Sequence, residues 1–130
     1  MKGKKQILLE TLKHALFSPV RLDGKKLLCE ASADHGVFRI GYKDTMTDIA
    51  FRDGQAAIIK WETKDDEKNL RDTEIIKGEA DVRDWRGHKR ARINTSRKEV
   101  DIKKNKNLTA RVGFRKDGAV WSKRINALAT

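Results

Sequence analysis

The stretch Thr45–Lys64, TMTDIAFRDGQAAIIKWETK, contains the clearest β-hairpin signal in the chain. Two apolar runs flank Arg52-Asp53-Gly54, and an aspartate followed by glycine favours a tight turn. A two-residue loop pairs Ile49 with Ile58, whereas a three-residue loop pairs Ile49 with Ala57. The three-residue loop collects the apolar side chains on one face of the hairpin. We therefore predict that register, with one face in the core and a polar face in solvent.

The rest of the chain predicts one helix followed by short strands. Within residues 1–18, Leu8, Leu12 and Leu16 recur at helical spacing, and Pro19 sets the end of the helix. Residues 20–130 are mainly β in their pattern, and residues 64–72 predict a charged, mobile connection. The length of 130 residues is typical of a single domain. The expected fold is α+β, with an antiparallel, largely meander sheet or a small, partly open barrel of about six to eight short strands.

The positive charge of the protein is concentrated in its C-terminal part. The stretch Arg83–Arg124 holds fifteen lysines and arginines against four acids, and its net charge of +11 equals that of the whole chain. A chain region this basic attracts polyanions, of which phosphate backbones are the most common. We therefore predict a small nucleic-acid-binding protein without enzymatic activity, and the sequence does not distinguish DNA from RNA.

The last hairpin combines this charge with an aromatic residue. A three-residue loop at Lys116-Asp117-Gly118 places Trp121 opposite Gly113 and Arg111 opposite Lys123. Trp121 would then stack on a base while the cations hold phosphates. A two-residue loop would instead bury the indole against the core, so the turn decides between the two roles. With the basic turn after Trp85, the predicted nucleic-acid-binding residues are Arg86, Lys89, Arg90, Arg92, Arg111, Arg115, Trp121 and Lys123.

An enzymatic alternative depends on the polar face of the first hairpin. Asp44 and Asp48 precede the turn, and Glu62 and Lys64 follow it. Two carboxylates with a lysine can hold Mg²⁺ and orient water against a phosphodiester. The arrangement resembles the Asp…Glu-x-Lys core of restriction-like nucleases, which implies a metal-dependent nuclease. No other cofactor is predicted.

Other function classes find little support. Cys29 is the only cysteine, so the chain has neither an intramolecular disulfide nor a cysteine-rich zinc site. His14, His35 and His88 lack metal-ligand spacing and accompany no nucleophile motif. No apolar run is long enough to span a membrane, and the N-terminus is a poor signal peptide, so a cytoplasmic location is expected. An acidic protein is the alternative partner, and the oligomeric state is not readable.

Overall fold

The computed structural model describes residues 3–125, apart from the side chains of Lys4 and Lys89. Within this range the chain forms one α-helix and eleven strands, with a short 3-10 turn at Ala33–His35. The elements are α1 Lys4–His14, β1 Ser18–Leu22, β2 Lys26–Ser32, β3 Val37–Tyr42, β4 Thr45–Arg52, β5 Gln55–Lys64, β6 Glu67–Ile76, β7 Glu79–Arg83, β8 Lys89–Asn94, β9 Glu99–Asn105, β10 Leu108–Phe114 and β11 Val120–Ile125.

The strands form two antiparallel sheets in which each strand pairs with its neighbour in the chain. Sheet A contains β1 to β6 in order, and sheet B contains β7 to β11 in order. No backbone ladder joins the two sheets within residues 3–125, so they stay open rather than closing into a barrel. The predicted helix and meander are confirmed, while the fold is mostly β and has more strands than predicted.

One stretch with a weak apolar pattern forms part of a strand that the sequence pattern did not predict. Residues 64–72 are not a mobile connection, because they belong to the β5–β6 hairpin, whose turn residues Asp65 and Asp66 have φ angles of 53° and 62°. As the edge strand of sheet A, β6 has a largely exposed surface and needs few apolar residues.

The helix ends earlier than predicted, at His14, since Ala15 is already extended (φ −67°, ψ 146°).

The main core lies between the two sheets. Sheet A contributes side chains such as Phe38, Ile49 and Ile58, and sheet B contributes Val100 and Phe114. Phe38 and Phe114 stack across the interface, with ring centroids 4.2 Å apart. Burial of these aromatic faces joins the sheets face to face.

A second, smaller core lies between α1 and the other face of sheet A. Leu12 of the helix packs there with Val37, Ala50, Ile59 and Trp61, all of which are buried. Sheet A is therefore covered on both faces, by sheet B and by the helix. The molecule has three layers in the order helix, sheet A, sheet B.

This double coverage overturns the register predicted for the first hairpin. Ile49 pairs with Ile58, and Arg52 pairs with Gln55, so the loop has the two residues Asp53 and Gly54. Both have positive φ angles, 51° and 76°, as the tightest hairpin turns require. The prediction was wrong because it assumed one polar face, whereas apolar side chains occupy both faces of these strands.

No helix in the described part of the chain is long and apolar enough to span a membrane.

Candidate nucleic-acid interface

The C-terminal hairpin has the register expected from its turn. Gly113 pairs with Trp121, and Arg111 pairs with Lys123. The Arg115 amide donates to the Ala119 carbonyl at 2.8 Å and closes a three-residue loop in which Gly118 has a φ of 91°. This part of the sequence prediction is confirmed. Trp121 therefore lies on the outer face of sheet B, on the same side as Arg111 and Lys123.

The indole of Trp121 lies directly against the backbone of Gly113. A Cβ atom at Gly113 would fall 2.6 to 2.9 Å from Trp121 Cζ2, Cε2 and Nε1. Only glycine leaves room for the ring in this position. Trp121 is partly buried, and Phe114 points to the opposite face, where it stacks on Phe38. The indole is thus supported from beneath by backbone and does not belong to the core.

A row of directly opposed charged residues crosses the outer face of sheet B. The row runs through all five strands as Asp81, Arg92, Asp101, Arg111 and Lys123. Arg111 donates to both carboxylate oxygens of Asp101, at 2.7 and 3.2 Å. This hydrogen-bonded pair raises the pKa of the Arg111 guanidinium above its usual range. Arg111 is therefore already engaged by a carboxylate of its own sheet.

Acidic side chains offset the cations over the middle of this face. Glu99 lies 3.9 Å from Arg111, and Arg92 approaches Glu79 at 3.7 Å. Although positive charge is concentrated in this part of the sequence, the outer face of sheet B is not uniformly basic. Arg115 and Lys123, on the β10–β11 hairpin, are exposed and have no ion pair among the described residues. On this face, the predicted binding residues without an ion pair among the described residues are therefore those of the hairpin that carries Trp121.

The basic turn between β7 and β8 is organised by a buried acid. Asp84 is 2% exposed, and its carboxylate accepts hydrogen bonds from the Arg86 amide at 2.9 Å and from Thr45 Oγ1 at 3.2 Å. These bonds attach the turn to the start of β4. Two guanidiniums contact the Trp85 ring, with Arg71 Cζ 4.4 Å and Arg86 Cζ 4.1 Å from its centroid.

The predicted binding residues of this turn do not share one surface. Arg86 donates to Asp44, with Nε 2.9 Å from Oδ1, and this bond lowers the pKa of the Asp44 carboxyl. Arg90 turns toward Tyr42, and its Cζ lies 3.9 Å from the ring centroid. Arg92 belongs to the charged row on the outer face. The side chain of Lys89 lies outside the described part of the structure.

The residues of the nuclease alternative are not brought together. Asp48 is fully buried and faces the helix, where Arg39 donates to it at 2.7 and 2.9 Å and Trp61 Nε1 at 2.8 Å. Glu62 pairs with Thr45 rather than with Asp44, and it points to the other face of sheet A. The predicted three-residue loop would pair Glu62 with Asp44, and this pairing is wrong because the hairpin turn has two residues.

The other two acids of the nuclease alternative, Asp44 and Glu62, both lie near the Arg86 guanidinium. Arg86 contacts Asp44 and lies 3.9 Å from Glu62, while Lys64 is exposed at the end of β5. No group of three metal-ligating side chains exists among residues 3–125. The described donors therefore do not fit Mg²⁺.

Sequence reasoning missed the residues that support these groups, above all Arg39, Tyr42 and Asp84. Arg39 lies between the core residues Phe38 and Ile40 on a strand that has both faces buried. A charged residue in such a strand signals a buried ion pair, because an unpaired charge would be too costly there. Nothing in the local sequence indicates that Tyr42 contacts the β7–β8 turn, or that Asp84 within this turn is buried.

Comparisons of the chain with protein-family models, with curated proteins and with solved structures found no match.

Proposed function

We propose that the protein binds single-stranded nucleic acid, DNA or RNA, through the outer side of the β10–β11 hairpin. The observation that carries the proposal is Trp121, which lies over Gly113 with Lys123 and Arg115 on the same hairpin. An indole supported by backbone and reachable from solvent offers a face to any base, whatever its identity.

Cations next to the ring supply the contacts to phosphate. The Lys123 ammonium lies 5.7 Å from the Trp121 ring centroid, and Arg115 is exposed where the strand enters its turn. Each such contact releases condensed counterions from the nucleic acid. Affinity should therefore decline steeply as the salt concentration rises. Because Arg111 is held by Asp101, it serves to shape the surface more than to bind phosphate.

A groove beside the indole gives room for an unpaired base. It lies between the edge strands β1 and β11, has a volume of about 270 Å³, and includes Pro19, Arg21, Trp121 and Ser122 in its lining. The Ser122 hydroxyl donates to the Arg21 carbonyl at 2.9 Å, which joins the two edges. A base in a duplex is stacked on both sides, so this groove favours a single strand.

The test is fluorescence anisotropy with labelled single-stranded and double-stranded oligonucleotides at increasing salt. We expect the single strand to bind more tightly, and Trp121→Ala to weaken its binding by about 1–3 kcal/mol, the usual loss of a stacked base. Trp85→Phe is the matched control, since the Trp85 ring already contacts the guanidiniums of Arg71 and Arg86. Absence of binding at low salt, or equal affinity of Trp121→Ala and the wild type, would refute the proposal.

The same assay tests the alternative partner, an acidic protein. An acidic peptide of matched charge is added as competitor at low salt. If it displaces the oligonucleotide at equal concentration, and Trp121→Ala leaves both affinities unchanged, the hairpin is a general polyanion surface and the nucleic-acid proposal fails.

A further inference from the structure

Strand β6 is an open edge of sheet A and carries two exposed apolar side chains. Among the described strands it has a neighbour on one side only, β5, so its other side presents backbone N–H and C=O groups without a strand partner. The strand is ten residues long. Leu70 and Ile75 keep 44% and 66% of their surface exposed. A long edge with exposed apolar side chains favours pairing with another strand.

Both apolar side chains lie on the side of sheet A that faces helix α1. Leu70 pairs with Trp61, and Ile75 pairs with Ala57, and these two β5 residues belong to the core beneath the helix. Directly paired residues point to the same side of a sheet. Thr73, whose partner also belongs to that core, shares this side.

A β-bulge in β6 interrupts the alternation of its side chains. Leu70 and Asp72 pair with adjacent residues of β5, so Arg71 is an extra residue between them. Asp72 pairs with Lys60, which points toward sheet B because both of its neighbours in β5 face the helix. Arg71 lies on the side of sheet B as well, with its guanidinium over the Trp85 ring. Two oppositely charged neighbours thus occupy the same side of the strand.

The charges of Arg71 and Asp72 are poorly compensated by the protein itself. Asp72 is exposed and has no ion pair among the residues that the structure describes. The Arg71 guanidinium approaches Glu62 at 3.7 Å, which is beyond hydrogen-bond distance. A cation and an anion therefore remain available side by side on an open edge.

We propose that β6 pairs antiparallel with β6 of a second copy of the chain, about a twofold axis that passes between Arg71 and Asp72. These are the two central residues of Glu67–Ile76, so the pairing uses the full length of both strands. Each Arg71 then lies opposite the partner's Asp72. Opposite charges that face each other directly stabilise an antiparallel strand pair, and the twofold axis forms this contact twice.

The same register also matches the apolar side chains. Leu70 lies opposite the partner's Thr73, and Ile75 lies opposite the partner's Lys68, whose ammonium donates to a carbonyl of the helix segment. Within each pair both residues point to the helix side. Leu70 is also diagonal to the partner's Ile75, at a separation that large side chains bridge.

Other registers of this strand pair are unfavourable. A shift by one residue in either direction sets Arg71 against the partner's Arg71, or Asp72 against the partner's Asp72, and like charges directly opposite are destabilising. The shift also places side chains from opposite sides of the two sheets against each other. Charge and side-chain direction therefore favour the same register.

Sedimentation velocity, measured from micromolar to millimolar protein concentration, tests the association. We expect a reversible monomer–dimer equilibrium, because an interface made by one strand edge is small. Ile75→Lys places a lysine opposite the partner's Lys68 and should raise the dissociation constant of the dimer about tenfold. Leu27→Lys changes an exposed leucine of β2, away from this edge, and should dimerise as the wild type does.

Charge exchange tests the position of the twofold axis. Arg71→Asp and Asp72→Arg should each weaken the dimer about tenfold, since each change puts like charges opposite one another. The double variant Arg71→Asp/Asp72→Arg restores opposite charges across the axis and should dimerise nearly as well as the wild type. A purely structural effect of losing the contact between Arg71 and Trp85 would persist in the double variant.

A disulfide tests the register directly. The double variant Leu70→Cys/Thr73→Cys should cross-link two copies under mild oxidation, because directly opposite residues of antiparallel strands lie at disulfide distance. Neither single variant should cross-link, since identical residues do not face each other in this register, and Cys29 is buried.

Three results would overturn the proposal: a wild type that stays monomeric at millimolar concentration, a dimer that Ile75→Lys leaves unchanged, or a double-cysteine variant that does not cross-link. None of these measurements involves nucleic acid, so their outcome is independent of the role of Trp121.

Discussion

Arg39 of β3 and Asp48 of β4 form a two-point ion pair on the face of sheet A that packs against helix α1, and both side chains are buried. Arg39 Nε and Nη2 donate to the two carboxylate oxygens, and Nη2 also donates to the Leu12 carbonyl at 3.0 Å. Phe17 covers the guanidinium, with Arg39 Cζ 3.7 Å from its ring centroid. Arg39 thus connects its own strand β3 to the neighbouring strand β4 and to helix α1.

We expect Asp48→Ala to destabilise the protein by about 3–5 kcal/mol, because it leaves the Arg39 charge buried without its partner. Urea unfolding measures the change. Asp34→Ala, which removes an exposed acid, is the control and should stay within about 0.5 kcal/mol of the wild type. An Asp48→Ala variant as stable as the control would show that the ion pair contributes no net stability.

Gly113 should be as important to binding as Trp121 itself. The methyl group of Gly113→Ala would overlap the indole and displace it, at a cost of about 1–3 kcal/mol in stability. Oligonucleotide affinity should fall as in Trp121→Ala, although no side chain that touches the ligand has been removed. Ala119→Gly, a small change in the exposed turn of the same hairpin, serves as the control. Equal affinity of Gly113→Ala and the wild type would mean that the position of the ring does not matter.

Cations on the hairpin should differ in their effect on salt dependence. Lys123→Ala and Arg115→Ala should each lower the slope of log K against log salt concentration by about one. Arg111→Ala should change the slope much less, because its guanidinium is already neutralised by Asp101. Titrations at four or more salt concentrations measure the slopes. A larger change in slope for Arg111→Ala than for Lys123→Ala and Arg115→Ala would show that nucleic acid displaces Asp101 from Arg111.

The Cys29 thiol should lower the stability of the protein at alkaline pH. Burial raises its pKa from 9.0 to about 12, so the folded protein resists the deprotonation that the unfolded chain undergoes. The stabilising effect is complete below pH 9 and is lost as pH rises toward 12, by about 1.4 kcal/mol per pH unit. The stability difference between wild type and Cys29→Ala should be constant below pH 9 and shrink above it. A constant difference up to pH 11 would contradict the raised pKa.

The sequence predicts local pairing better than it predicts which faces are buried. In the C-terminal hairpin, alternation placed the cations and the core residues on opposite faces, and the three-residue loop, one of the two loops considered, places Gly113 opposite Trp121. In the first hairpin the same reasoning failed, since Ile59 and Trp61 face the helix while Ile58 faces sheet B. Which elements cover a sheet is a long-range property, and a strand buried on both faces has no alternation to read.

In the candidate site too, the sequence predicted local neighbours but not the contacts between strands. Trp121 and its flanking cations are neighbours along one hairpin, and their pattern was visible in the sequence. Asp101 was hidden as the neutralising partner of Arg111, because the register of β9 against β10 is needed to bring it opposite that arginine.

The meander order of the strands has a consequence for the speed of folding. Every backbone ladder in the described chain joins strands adjacent in sequence, so each pairing closes only a short loop at a small entropic cost. We expect refolding faster than is usual for a β-sandwich with crossed connections, because such sandwiches must close long loops first. The slower step should be the docking of the two sheets and the helix. That step brings together Phe38 with Phe114 and Arg39 with Leu12, residues far apart in the chain.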